Sequence, residues 1–159
     1  MRLAILLLCS AVGFGQSTAP SLEPKVRATG RCGEAFGLSI GAVGHQMGGA
    51  GVLSDTQGVD FGPYVKEILH QVSDNWHKRI PASSASKKGK LAIEFAIRKD
   101  GKLADMCLVA TSGDVALDRA AWGGIAASNP FPALPTDFTG RYLALRFRFY
   151  YNPEQNQVQ

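Results

Sequence analysis

His70, Asp74 and His77 come nearest, by residue type and spacing, to a metal or acid–base site in this chain. Four apart on a helix, His70 and Asp74 would share a face and could hold one ion with a third ligand. His77 is a further turn away, about 10 Å from His70 along a helix axis, too far for both to bind one ion directly. A solvated polar helix face is the expectation, with no metal ligand set. A second pattern, Gly37-Leu38-Ser39-Ile40-Gly41, fits the G-x-S-x-G form of a hydrolase nucleophile elbow. That elbow needs a strand before it, a helix after it and a large parallel sheet around it; here glycines flank it and the chain is too short. No phosphate-cradling loop of the G-x-x-x-x-G-K-[ST] kind is present. No nucleophile, base and orienting acid lie on elements that would converge. We therefore expect no catalytic residues and no cofactor.

Three cysteines remain to be placed. Cys9 lies in an apolar run near the N-terminus. Cys32 and Cys107 could pair in an oxidising compartment, or stand as a loop thiol and a small buried one. Both readings stay open on the sequence.

The positive start Met1-Arg2 and the twelve-residue apolar run Leu3–Phe14 form a leader too short for a comfortable membrane span, which takes about 20 residues. They suit the core of a secretory signal peptide, with small Gly13 and Gly15 directing cleavage before Gln16. Two other readings use the same residues: an uncleaved anchor, or a lipoprotein built on Cys9, for which Leu8 is a poor neighbour. Without Arg2 the chain carries 16 basic and 13 acidic side chains. Such a scattered excess argues against nucleic acid as a partner, which would call for a concentrated basic patch with aromatic platforms.

The elements follow from periodicity. Residues 16–58 are rich in small residues and glycine and read as a flexible linker. Asp60, an N-cap candidate, and Pro63 in the first turn open a helix whose apolar stripe is Phe61, Val65, Ile68, Leu69, Val72 and Trp76, ending at Ile80-Pro81. Two strands follow, joined by Lys99-Asp100-Gly101-Lys102, which suits a primed turn with positive φ at both Asp100 and Gly101. The first alternates, with Leu91, Ile93, Phe95 and Ile97 facing a core and Glu94, Ala96 and their neighbours facing away. The second, Leu103–Thr111, calls for a bulge near Met106-Cys107 or a central position. A second helix runs from Val115 to about Ser128, capped at Ser112-Gly113-Asp114, its Gly123-Gly124 pair implying close approach to the sheet. Pro130-Phe131-Pro132 to Pro135 is a stiff strap with Phe131 and Leu134 turned inward. A last strand, Arg141–Tyr151, turns Leu143, Leu145, Phe147 and Phe149 one way and Tyr142, Ala144, Arg146, Arg148 and Tyr150 the other. The fold class is α+β, in α-β-β-α-β order, with two helices on one face of a three-stranded antiparallel sheet. The domain is bounded at 59–153, after a leader 1–15 and before a polar tail 154–159.

This order resembles the C-terminal periplasmic domain of the TonB and TolA proteins. The residues that carry the resemblance are Trp76…Ile80-Pro81, Lys99-Asp100-Gly101-Lys102, Thr111-Ser112-Gly113-Asp114…Leu117-Asp118-Arg119-Ala120-Ala121, Pro130-Phe131-Pro132…Leu134-Pro135 and the aromatic last strand. The family implies a periplasmic, non-enzymatic coupler of the cell envelope that recruits an outer-membrane receptor or envelope protein by adding its extended segment to a sheet edge, in envelope transport or integrity. Carried onto this chain, that edge is the last strand, with Arg141, Tyr142, Ala144, Arg146, Arg148 and Tyr150 reading the partner. Exchange between exposed edges would also permit a homodimer. The cleavable leader and short glycine-rich linker depart from the family pattern and put energy transduction in doubt. Retention of the leader as an inner-membrane anchor would restore contact with inner-membrane motor proteins. A small exported enzyme is the reading from another class.

Overall fold

The computed structural model describes residues 46–47 and 49–153. The expected leader, the glycine-rich stretch up to residue 45, the pentapeptide at 37–41, Cys32 and the tail from 154 lie outside the described residues. Two short strands, β1 (Gln46–Met47) and β2 (Ala50–Val52), precede helix α1 (Gly62–His77); strands β3 (Gly89–Arg98) and β4 (Leu103–Ala110), helix α2 (Val115–Ala127) and strand β5 (Tyr142–Tyr151) follow. No helix among the described residues is long and apolar enough to cross a membrane.

Of the stripe that the spacing of helix α1 demands, Phe61, Val65, Ile68 and Val72 are each at most 3% exposed, while Leu69 and Trp76 pack partly buried against the same core. Its cap differs from expectation. Phe61 is the N-cap residue, and Asp60 instead takes the Gly62 N–H on its carboxylate at 2.8 Å. Tyr64 is also buried, its hydroxyl donating to the Pro132 carbonyl at 2.8 Å. Helix α2 is capped by Asp114, which accepts from Ala116 and Leu117 N–H. The Lys87 ammonium bonded to Asp114, with those two amides, holds its carboxyl below the usual carboxylate range. Asp118, 7% exposed, accepts from Ser112 N–H and from the Thr111 and Ser112 hydroxyls, tying the end of β4 to α2.

Gly123 and Gly124 serve a helix–helix contact, not the helix–sheet contact expected. A Cβ on Gly124 would lie 2.8 Å from the Trp76 Cβ and 3.0 Å from its Cα, so only hydrogen lets the α1 backbone come this close. The hairpin turn is also of another kind. Gly101 alone in it has positive φ, 81°, while the Gly101 N–H bonds the Arg98 carbonyl and the Arg98 N–H bonds the Lys102 carbonyl. The strap docks here, with Phe131 N–H on the Gly101 carbonyl and Leu134 N–H on the Lys99 carbonyl. Phe131 and Leu134 turn inward as expected, 4% and 6% exposed.

The antiparallel sheet has the order β1-β2-β5-β3-β4. The expected three strands are therefore corrected: β2 makes a fourth, and the two-residue β1 extends it. The linker expectation fails over the same residues, because β2 lies inside 16–58. Strands β3 and β5 pair without interruption from Gly89↔Tyr151 to Arg98↔Tyr142. Strand β4 is an outer strand whose register shifts opposite Ala92/Ile93 and Ala96/Ile97, so Val109 and Ala104 are its extra residues and Met106-Cys107 pairs regularly. The helices and strap cover Leu91, Ile93, Phe95, Ile97, Leu143, Leu145, Phe147 and Phe149, which form one core cluster with α1 and α2. Burial does not stop at that face: Ala96, Ala144 and Glu94 on the other side are 0%, 3% and 6% exposed. Strand β3 is central, flanked by paired strands, and Glu94 is drawn in by an arginine of β5.

Candidate functional site

Strand β5 alternates because leucines and phenylalanines at odd positions enter the core while residues at even positions face away from the helices. The expected site residues Tyr142, Ala144, Arg146, Arg148 and Tyr150 thus share one face, with Arg141 just before the strand and its guanidinium 5.9 Å from the Tyr142 ring centre. Their edge is occupied, which corrects the expectation that β5 ends the sheet. Strand β2 pairs with it at Ala50↔Phe147, Gly51↔Arg146 and Val52↔Leu145. Beyond the paired residues, Arg148 N–H donates to the Gly49 carbonyl at 2.7 Å and Leu53 N–H to the Ala144 carbonyl at 2.8 Å.

Ser54 finishes the ladder with a side chain. Its hydroxyl accepts the Ala144 N–H at 2.8 Å and donates to the Tyr142 carbonyl at 3.3 Å, satisfying two groups that another strand residue would otherwise meet. From Tyr142 to Arg148 the outer side of β5 is therefore engaged. Nothing in the local sequence around Ser54 signals this role, since its partners lie 88 and 90 residues away.

The polar face is also partly committed. Arg146 donates from Nε to Oε1 of Glu94 at 2.8 Å, and its terminal nitrogen bonds the same oxygen. Gly51, Arg146, Glu94 and Cys107 make one cross-strand row. Cys107 is disulfide-bonded, and its partner lies outside the described residues. Nearer the strand end, Arg148 and Tyr150 line a cleft of about 330 Å³ with Lys90, Ala92, Ala110 and Thr111. Glu94 and Lys90 carry no local signal as neighbours of this face, since only the β3–β5 register brings them there.

The acid–base candidates separate. His70 Nδ1 lies 3.3 Å from Asp74 Oδ2 on an exposed helix face, and both line a broad groove between α1 and Pro130–Pro132. His77 is not among the groove's residues; its Nδ1 lies 2.7 Å from the Ser73 carbonyl. Among the described residues no three His, Cys, Asp or Glu side chains gather as a metal ligand set.

Two helices on one face of an antiparallel sheet, with a strand of the same chain added along the last strand, define an α+β module with a strand-accepting edge. A family profile described as TonB C terminal matches residues 61–149, more than half of the chain. The chain belongs to the TonB C-terminal family. A solved structure, the solution structure of the Helicobacter pylori TonB C-terminal domain (residues 179–285), is similar at 20% identity with a TM-score of 0.42, covering 64% of this chain and 94% of that one. No curated protein matches the chain.

Proposed function

We propose that this chain is a non-enzymatic protein-binding module of the bacterial cell envelope that takes an extended segment of an outer-membrane receptor or envelope protein onto the β5 edge. Membership of the TonB C-terminal family supports a role in envelope transport or protein interaction. The observation that carries the mechanism is β2 itself: an antiparallel strand of the same chain, remote in sequence, already uses this edge. In strand addition the backbone ladder supplies most of the affinity and alternating side chains supply the selectivity. Tyr142, Arg146, Arg148 and Tyr150 would read the partner, with Arg141 at the entrance. The domain functions from the periplasmic side, exported by a cleaved leader or held at the inner membrane by a retained one.

The test is a titration of the isotope-labelled full chain with extended peptides taken from periplasm-facing segments of outer-membrane receptors. Amide shifts concentrated in residues 142–151 are expected. Shifts confined to Leu103–Ala110 would move the site to the outer edge of β4, which pairs only with β3 among the described residues. Shifts in neither strand would sink the strand-addition reading. N-terminal sequencing of the protein from the envelope separates the two locations: a start near Gln16 means an exported module, a retained Met1 an anchored one.

A further inference from the structure

We infer that β2 is a built-in occupant of the recruiting edge, so that a partner strand gains the edge by displacing the chain's own residues 49–54. This rests on the reading of β5 as the recruiting edge. Three features mark β2 as an occupant suited to leave. It is three residues long, its central residue is glycine, and its start is set by Gly49 at φ 95°, outside strand geometry. Glycine and alanine are poor strand formers, so pairing holds this segment more than propensity does. Its far end closes on the Ser54 hydroxyl in place of a peptide group.

The segment is nevertheless seated. Ala50 and Val52 are 0% and 6% exposed, and they enter the core beside Phe147 and Leu145. Gly51 falls on the opposite face, across from Arg146, and contributes no side chain there. A partner strand with any longer residue at that position would make cross-strand contacts with Arg146 that Gly51 does not. The tether gives β2 its standing: a segment on the same chain competes at an effective concentration on the order of millimolar without strong contacts of its own. The edge is thereby shielded from unrelated strands, which any open edge would invite.

The test opens and closes this contact in the full chain. Gly51→Pro removes the donor in the middle of the ladder, and Ser54→Ala removes the hydroxyl, a second opening variant should the first not fold. Gly51→Val closes the contact more firmly: a Cβ at this position meets nothing nearer than the Arg146 carbonyl at 3.9 Å, and valine favours strands. Two readouts are taken: hydrogen exchange at the Ala144 and Arg148 amides, and binding of a labelled synthetic peptide carrying residues 49–55 with valine at position 51. Expected are faster exchange at both amides in the opening variants and peptide binding at least about tenfold tighter than in the natural chain, as for an edge free a tenth of the time or less, with Gly51→Val weaker than the natural chain. Unchanged exchange in both opening variants overturns the inference and leaves the recruiting role intact. So does faster exchange with equal binding in all chains. Faster exchange with no binding of this peptide or of receptor-derived ones overturns the recruiting role of β5 and the inference with it.

Discussion

Arg146 and Glu94 face each other across the β5–β3 register, joined from Nε to Oε1 at 2.8 Å, with the glutamate side chain 7% exposed and the arginine side chain 33% exposed. The guanidinium proposed to meet a partner is thus also what keeps a buried carboxylate satisfied. Removing one member of an enclosed pair costs about 3–5 kcal/mol because the other is left without a counter-charge. With Arg146 a third exposed, water meets part of that loss. Arg146→Met should therefore cost about 2 kcal/mol, below the enclosed-pair figure. The further change Glu94→Gln should return most of it, read from urea midpoints in a double-mutant cycle. Additive losses would mean that the pair does not act as a unit.

Gly124→Ala should destabilise the chain although alanine is the better helix former. Its Cβ would meet Trp76 backbone and Cβ atoms at 2.8–3.2 Å, and overpacking of this kind costs about 1–3 kcal/mol against about 1 kcal/mol gained in propensity. The neighbouring Gly123→Ala meets only the Arg79 side chain, at 2.9 Å from Cδ, which is free to swing away. This second variant should be neutral or slightly stabilising. Thermal unfolding of the two side by side checks the contrast, and equal losses would refute the helix–helix account.

Gly101→Ala combines two penalties, because the residue has φ 81° and its Cβ would fall 2.0 Å from the Phe131 carbonyl oxygen. The strap must lift from the turn, breaking the Phe131 N–H bond to the Gly101 carbonyl. We expect a loss of at least about 2 kcal/mol, beyond that of the positive φ alone. Exchange at the Phe131 and Leu134 amides should speed by more than at the β3–β5 ladder. Exchange that rises equally everywhere would mean global destabilisation without release of the strap.

Tyr151 should make the fold sensitive to alkali. Its hydroxyl accepts from Trp76 Nε1 at 2.6 Å and donates to the Leu117 carbonyl at 2.7 Å, and burial pushes its pKa up to about 12. A group whose folded pKa is raised stabilises fully below its unfolded value, about 10 for tyrosine. The contribution is then lost as pH climbs from there through the folded value. Stability should fall between about pH 10 and 12. Tyr64, also raised by burial, shares in the fall. Tyr151→Phe should cost about 1–3 kcal/mol at neutral pH by leaving the indole N–H and the Leu117 carbonyl without this partner, and should shrink the alkaline loss. Urea titrations across this pH range decide it; an undiminished loss would place its origin elsewhere.

Short-range signals place several elements correctly. The α1 stripe, the alternation of β3 and β5, the Asp114 cap and the inward Phe131 and Leu134 all lie where spacing places them, since each depends on neighbours a few residues apart. The hairpin turn and the β4 bulge depend instead on residues far away in the sequence. Asp100-Gly101 suits a primed turn, yet the strap that packs onto Gly101 comes from residue 131. The apolar run of β4 suggests a bulge near Met106-Cys107 or a central position, whereas β4 lies at the outside of the sheet and its pairing with β3 puts the extra residues at Ala104 and Val109.

By itself the sequence determined two helices and three long strands, their order, their buried faces and the motifs of the TonB C-terminal family. Periodicity and caps are short-range signals, and each element carries its own. Tertiary structure alone decided what becomes of the β5 edge. Ala50-Gly51-Val52 has no strand signal, being small, glycine-centred and set in a stretch that reads as linker. It becomes a strand because β5 offers unpaired peptide groups and room beside Leu145 and Phe147, and Ser54 closes the ladder from 90 residues away.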